Sequence, residues 1–525
     1  MPTSADGERE RAKIVERAGV VGAGTLLSRV LGYGRDAVIA ALFNTRETDT
    51  FWAALTIPNA LRQLLAEGAV SSAVVPVLSK RLAEEGDDAG RAFFARARGV
   101  SLLVLVVVSV LGVVFARQLA WLFAGGFAAD PAKLELTVNL TRVMFPYIFF
   151  MGSAALGMAA LNAKKRFAVA AFAPALFSVG IVGAVFLLRG RLAEPAMALA
   201  IGVMAGGVLQ VVAQLPALRR IGFVQRPRLD FADPHVRAML KRILPMTFGL
   251  GVYYVDLVLS RRFLSELGDG AQSYFSWASR LCDLPQGIFV MAISSASLPS
   301  LATFAAKGEH EELVKTWAQG MRLTLFVAIP CSVALVVLGE PIVILLYERG
   351  VFDARSSAET ARALAWQGGA IFTVAATRQL VPAFHALGDT RTPVIVSALD
   401  LVAFVALAYW LKGSQGHVGI SIAIAGSSAV QMVLLAWGLR LRLGTLRGGE
   451  IFASAARVLG ASILAAAAAG ALAHLLKGTL WRGLPGLASS LAFVAVFALA
   501  AWALGAKELT AVAAPIRRRL ARRRR

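Results

Sequence analysis

Residues 26–43, LLSRVLGYGRDAVIAALF, read as a membrane-spanning helix that is interrupted by charges. The stretch is apolar enough to cross a bilayer, yet Arg29, Arg35 and Asp36 lie inside it. On insertion scales, one charge at the bilayer centre costs about 2.5–3.5 kcal/mol. Charges in such a helix therefore indicate a functional site, because each must meet water, protein or a ligand of opposite charge.

The composition of the whole chain is that of a polytopic membrane protein. Of its 525 residues, 57% are hydrophobic and 16% are charged, whereas soluble domains carry about 25% charged residues. The net charge of +22 raises nucleic-acid binding as an alternative. An excess of Lys and Arg in a membrane protein more often sets its orientation, so we expect no nucleic-acid partner.

Fourteen apolar runs along the chain are predicted to span the membrane. Their limits are 19–43, 50–78, 99–116, 136–160, 168–188, 195–217, 243–260, 271–300, 321–345, 361–387, 393–411, 417–438, 456–476 and 484–505. With a cytoplasmic N-terminus, the cytoplasmic segments hold well over half of the 54 Lys and Arg, which predicts both termini inside. The start of the chain lacks the apolar core of a signal peptide and is interpreted as a cytosolic leader.

A weak internal repeat predicts the domain organisation. Residues 62–88 are similar to residues 280–311, and six predicted spans separate the copies, so the repeats are parallel. We expect an all-α protein of two six-helix lobes plus a C-terminal helix pair. The predicted parts are a leader (1–18), an N-lobe (19–220), a cytosolic linker (221–242), a C-lobe (243–446), an extra helix pair (447–506) and a basic cytosolic tail (507–525).

Further polar residues inside the predicted spans are candidates for ligand binding. On the second span, Asn59 precedes Arg62 by three residues and shares its helix face, and Glu67 follows. Arg280 and Asp283 are spaced in the same way on the eighth span. Guanidinium groups suit planar, bidentate capture of phosphate, so arginines in an apolar setting predict an anionic substrate.

Simpler interpretations of these charges stay open. Arg35 with Asp36 is also compatible with a helix-end pair that reaches the membrane interface, and Arg280 with Asp283 with an ion pair inside one helix. Asp256 lies in the seventh span and Asp400 in the eleventh. They are candidates for coupling to Na⁺ or a proton, or for plain hydrogen bonding.

Catalysis finds no support in the sequence, and we expect no enzyme activity and no cofactor. The five histidines show no metal-ligand spacing, and no GxxxxGK[ST] phosphate-binding loop occurs. The energy for transport is therefore expected from Na⁺ or H⁺ coupling, or from the membrane potential.

Three stretches carry a resemblance to a known family. SRVLGYGRDAVIAALF and TDTFWAALTIPNALRQLLAEGAVSSAVVPVLS resemble the first two helices of the MurJ (MviN) lipid II flippases, in the multidrug/oligosaccharidyl-lipid/polysaccharide exporter superfamily. SWASRLCDLPQGIFVMAISSASLPSLA resembles that family's eighth helix. The resemblance implies a bacterial inner-membrane protein, monomeric by default. Such a protein moves lipid II, an undecaprenyl-pyrophosphate-linked disaccharide-pentapeptide, to the outer leaflet for peptidoglycan synthesis by alternating access.

The same resemblance implies a substrate-binding set, in which arginines clamp the pyrophosphate. The family's patterns fall on Arg29, Arg35, Arg62, Arg280, Asp49 and Glu67. We add Ser28, which precedes Arg29, and Asn59, which shares the helix face of Arg62, to the expected substrate-binding set. Family positions that often carry a lysine, a second arginine and an acid are here Thr56, Gln63 and Ser279. The alternatives are a flippase for another undecaprenyl-pyrophosphate-linked oligosaccharide and a cation-coupled multidrug antiporter. A basic cavity disfavours the antiporter.

Overall fold

Helices make up nearly all of the described backbone. The computed structural model describes residues 4–62, 71–249 and 251–510, and within these ranges no strand occurs. The all-α class predicted from the sequence is confirmed. The chain divides into two units, Met1–Asp269 and Gly270–Arg525.

The first unit contains helices α1 to α12. They are α1 (Ser4–Leu42), α2 (Thr45–Arg62), α3 (Ser71–Glu84), α4 (Gly86–Val114), α5 (Ala116–Ala124), α6 (Pro131–Met144), α7 (Tyr147–Ala163), α8 (Phe167–Phe172), α9 (Ala175–Leu188), α10 (Met197–Arg220), α11 (Pro234–Gly249) and α12 (Gly251–Ser265). A 3-10 helical turn, Gly125–Ala129, joins α5 to α6.

The second unit contains helices α13 to α22. They are α13 (Ala271–Pro285), α14 (Met291–Lys307), α15 (His310–Val337), α16 (Gly339–Tyr347), α17 (Ala354–Gly369), α18 (Ile371–Ala386), α19 (Arg391–Gln415), α20 (His417–Leu443), α21 (Gly448–Leu475) and α22 (Leu484–Ala503). A π-helical turn, Gln286–Val290, joins α13 to α14.

Eight segments of the described chain are long and apolar enough to cross a membrane. They are α4, α6 with α7, α10, α15, α19, α20, α21 and α22. Each of the other predicted spans is divided between two helices or carries charged side chains. The run 168–188, for example, is built from α8 and α9, which Pro174 separates because proline lacks the amide hydrogen that continues a helix. The predicted count of fourteen spans stays a prediction.

The boundary between the two units follows α12, whereas the sequence placed residues 243–260 in the C-lobe. The end of α12 packs against the 3-10 turn, where the backbone N–H of Gly126 donates to Ser265 Oγ at 2.9 Å. The Arg262 guanidinium lies over the Trp121 ring of α5, 5.5 Å from its centroid. These interactions group α12 with the first unit. The division of the sequence into two six-helix lobes itself stays a prediction.

Helices α9 and α10 approach each other closely through glycines. A Cβ atom on Gly180 would lie 2.4 Å from the backbone nitrogen of Gly206. A Cβ atom on Gly202 would lie 2.6 Å from the α-carbon of Ile181. Small residues permit such close backbone approach, which is how helices in membranes pack without a hydrophobic driving force between them.

Replacing Gly180 with alanine is therefore expected to lower the free energy of unfolding by about 1–3 kcal/mol, because backbone atoms of α10 must move. Gly183 lies on the same helix, and a Cβ atom there would meet nothing within 4 Å. Gly183→Ala is the matched control and should melt like the wild type. Thermal unfolding in detergent measures both, and equal melting temperatures would contradict the packing argument.

Candidate functional site

Arg35 and Asp36, neighbours on α1, form a buried ion pair. Arg35 Nη2 and Nε lie 2.6 and 2.8 Å from Asp36 Oδ1, and the two residues are 7% and 2% exposed. The guanidinium also lies over the Phe177 ring of α9, 5.5 Å from its centroid. The charges that interrupt the first predicted span are thus partly matched inside the protein. Arg35 and Asp36 pair with each other, as the simpler interpretation also allows, and both side chains are buried in the protein.

The other predicted arginines of the first unit are half-buried. Arg29 lies on α1 next to the half-buried Ser28, two turns before Arg35. Arg62 ends α2, and its Nε donates to Asn59 Oδ1 at 3.0 Å, so the two side chains meet as their spacing predicts. Glu67 lies outside the described residues.

Asp49 belongs to a buried charge cluster that sequence reasoning missed. Its Oδ2 accepts from Lys133 Nζ at 3.0 Å, and the same ammonium group donates to Asp269 Oδ1 at 2.6 Å. Asp49 is 1% and Lys133 3% exposed. Lys133 lies between the predicted spans 99–116 and 136–160, and no sequence signal pairs it with Asp49 or Asp269, because the three are far apart in the chain.

In the second unit, Arg280 is half-buried on α13 and directly follows Ser279, which is hydrogen-bonded to a neighbouring helix. Ser279 Oγ donates to Gln367 Oε1 of α17 at 2.8 Å, and Gln367 Nε2 donates to Ser421 Oγ of α20 at 3.0 Å. This chain of hydrogen bonds fixes the rotation of α13 just before the π-helical turn. Asp283, one turn after Arg280, is exposed. No pattern in the sequence indicated that Gln367 would bond to Ser279.

The two carboxylates proposed for ion coupling lie in different units. Asp256 is on α12 of the first unit and Asp400 on α19 of the second. The carboxylate of Asp400 lies beside the Ser427 hydroxyl of α20. Among the described residues, no group of three or more His, Cys, Asp or Glu side chains is arranged to hold a metal ion. Ion coupling stays a prediction.

An apolar groove of about 1190 Å³ opens in the second unit between α15, α18, α20 and α21. Its walls follow α15 from Trp317 to Val337, a length of about 30 Å at 1.5 Å per residue. That length equals the thickness of the hydrocarbon core of a bilayer, about 30 Å. Its lining is almost wholly apolar, and Arg440 lies near the end of α20. The groove can accept a long hydrocarbon chain.

Comparisons with known proteins identify the family. The family model for Lipid II flippase MurJ matches residues 38–506. The lipid II flippase MurJ of Burkholderia cenocepacia is 34% identical over 423 residues, which cover 80% of this chain and 82% of the relative. The probable lipid II flippase MurJ of Bdellovibrio bacteriovorus is 33% identical over 442 residues, which cover 83% and 84%.

Solved structures show the same fold. A lipid II flippase MurJ in an inward closed conformation superposes with a TM-score of 0.73 at 21% identity, covering 92% of this chain and 97% of that one. A multidrug resistance MATE family transporter of the MOP superfamily, inward-facing, gives 0.66 at 14% identity, covering 80% and 96%. This multi-pass inner-membrane protein belongs to the lipid II flippase MurJ family.

Proposed function

We propose that the protein is a transporter, without a catalytic step, that moves lipid II from the inner to the outer leaflet of the cytoplasmic membrane. The match to curated lipid II flippases over four-fifths of the chain carries this assignment. Two features of the structure support it. Half-buried arginines lie on α1 and α2 of the first unit, and an apolar groove of bilayer length lies in the second.

The arginines suit the pyrophosphate of the substrate. A guanidinium group donates two parallel hydrogen bonds to a phosphate, and such bonds are about twice as strong as neutral ones. We propose Arg29 and Arg62 as the first contacts. Arg35 would join through the guanidinium N–H groups that its buried pair with Asp36 does not use. Arg280, on α13 of the second unit, is a further proposed substrate-binding residue. Bound substrate would neutralise the arginines that it contacts, and tighter binding to one conformation would favour the conformational change of alternating access.

The groove of the second unit suits the polyprenyl tail. A wall of residues such as Met321, Phe372 and Met432 offers no hydrogen-bonding group that a tail would leave unsatisfied. The headgroup then moves through the protein while the tail stays in an apolar environment. This separation removes the largest cost of flipping, which is carrying a charged and sugar-rich headgroup through hydrocarbon.

Energy and orientation complete the proposal. With no phosphate-binding loop in the sequence, the drive is proposed to be the membrane potential or coupling to Na⁺ or H⁺ at Asp256 or Asp400. The distribution of basic residues supports cytoplasmic termini. A monomer suffices, because both proposed substrate features lie within one chain.

The test is complementation in cells depleted of their own lipid II flippase, reading labelled lipid II exposed on the outer leaflet. The wild type should restore exposure and Arg29→Ala should lose it at unchanged protein level. Arg117→Ala is the control, since Arg117 is an exposed side chain on α5 that pairs with Glu135 at the surface. A well-expressed wild type that fails to restore exposure would transfer the assignment to another undecaprenyl-pyrophosphate-linked oligosaccharide.

A further inference from the structure

Lys133, at the start of α6, connects three parts of the first unit through one ammonium group. It reaches Asp49 on α2 at 3.0 Å and Asp269, four residues past the end of α12, at 2.6 Å. Its Nζ also lies over the Phe127 ring, 4.3 Å from the centroid. Asp269 is the last residue of the first unit, and Gly270 follows it at φ +95°.

The two ion pairs of Lys133 differ sharply in their surroundings. The carboxylate of Asp49 is almost inaccessible, with 1% of its side-chain surface exposed, whereas 57% of the Asp269 side-chain surface is exposed. Two opposite charges buried together cannot be separated without a large desolvation cost. An exposed carboxylate can exchange its partner for water at little cost. The pair with Asp49 is therefore permanent, and the pair with Asp269 is releasable.

The charge count supports this asymmetry. Asp49 alone neutralises Lys133, so the buried part of the cluster stays balanced when Asp269 leaves. Asp269 is not needed to balance the charge of Lys133. Its bond to Lys133 instead holds the segment after α12 next to α2 and α6. The end of α12 also contacts the 3-10 turn, through Ser265 and the close approach of Gly126 to Glu266, and α5, where Arg262 lies over the Trp121 ring.

We propose that Lys133 is a positioning residue of the transport cycle, which holds the end of α12 through a releasable bond to Asp269. Asp49 acts through Lys133 and fixes its ammonium group. Breaking the bond to Asp269 frees the end of α12 to move away from α2 and α6, and forming it again restores the arrangement seen here. Only the expected effect of this bond on the rate of lipid II exposure rests on the proposed transport function.

The test compares four variants of the full chain in lipid nanodiscs by hydrogen exchange at the backbone amides of residues 266–272. Asp269→Asn should exchange faster there by about threefold or more, because the segment loses its ion pair with Lys133 and opens more often. Its melting temperature should stay close to wild type, since the buried pair persists. Asp269→Glu keeps the carboxylate and should behave as wild type. Glu135→Gln, which removes a surface carboxylate from α6, is the matched control.

The fourth variant is the double substitution Lys133→Met with Asp49→Asn, which separates positioning from folding. Lys133→Met alone is expected to express poorly, whereas Lys133→Met combined with Asp49→Asn removes both buried charges and should restore folded protein. That double variant should still show faster exchange at residues 266–272. In cells, Asp269→Asn should slow lipid II exposure at unchanged protein level, because the bond between Lys133 and Asp269 must form again in each transport cycle.

Wild-type exchange in Asp269→Asn and in the double variant would overturn the proposal. So would a wild-type rate of lipid II exposure in Asp269→Asn. The exchange measurement uses no substrate, so it stands apart from the proposed function. If Asp269→Asn exchanges faster but the protein does not transport lipid II, the proposed role of the Lys133–Asp269 bond stands. The proposal that lipid II is the substrate is then rejected.

Discussion

Replacing Arg62 with alanine is expected to abolish lipid II exposure in a flippase-depleted strain, while the protein accumulates normally. Arg62 is half-buried at the end of α2, and its Nε donates to Asn59 Oδ1 at 3.0 Å. Truncating one partner of a buried, hydrogen-bonded charge pair costs about 2–5 kcal/mol. At 1.4 kcal/mol per factor of ten, this is a loss of about thirtyfold or more in binding.

Arg142 offers an unusually close control for this experiment. Its Nη1 donates to Asn139 Oδ1 at 3.3 Å, so it repeats the Asn–Arg pair with the same spacing, but its side chain is exposed on α6. Arg142→Ala should leave exposure of lipid II unchanged. Arg62→Lys keeps the charge and loses the planar fork, and should transport poorly. Normal growth of cells that carry Arg62→Ala would reject Arg62 as a substrate-binding residue.

The second large effect is expected at the buried ion pair of α1. Asp36→Ala should lower the free energy of unfolding by about 3–5 kcal/mol, because it leaves the 7% exposed guanidinium of Arg35 without its carboxylate. Thermal unfolding of the purified protein in detergent measures the loss. The surface variant Asp87→Ala, which removes the partner of Lys164, should change the melting temperature little.

A double variant separates the stability of this pair from its role in transport. Arg35→Met with Asp36→Leu removes both charges and replaces them by apolar side chains, which is often neutral or stabilising. It should regain the melting temperature and still fail to expose lipid II, because Arg35 is a proposed phosphate ligand. Full transport by the stable double variant would show that Arg35 serves the fold alone. A wild-type melting temperature in Asp36→Ala would contradict the buried pair.

Local pattern was sufficient for much of this protein. Apolar runs of about 20 residues predicted the all-helical class, because in hydrocarbon every backbone group must be paired within its own segment. The i, i+3 spacing predicted that Arg62 and Asn59 meet, since three residues are nearly one helical turn. Both inferences depend only on neighbours in the chain.

Contacts between distant segments decided the rest. The sequence alone showed Arg35 as a charge inside a predicted span. Only the packing against α9 shows that Arg35 is buried with Asp36 and that its guanidinium lies over the Phe177 ring. The sequence likewise showed Lys133 only as a residue between two predicted spans, and only the fold brings it to Asp49 and Asp269, 84 and 136 residues away. Burial and long-range pairing come from how helices pack, which periodicity along one helix does not contain.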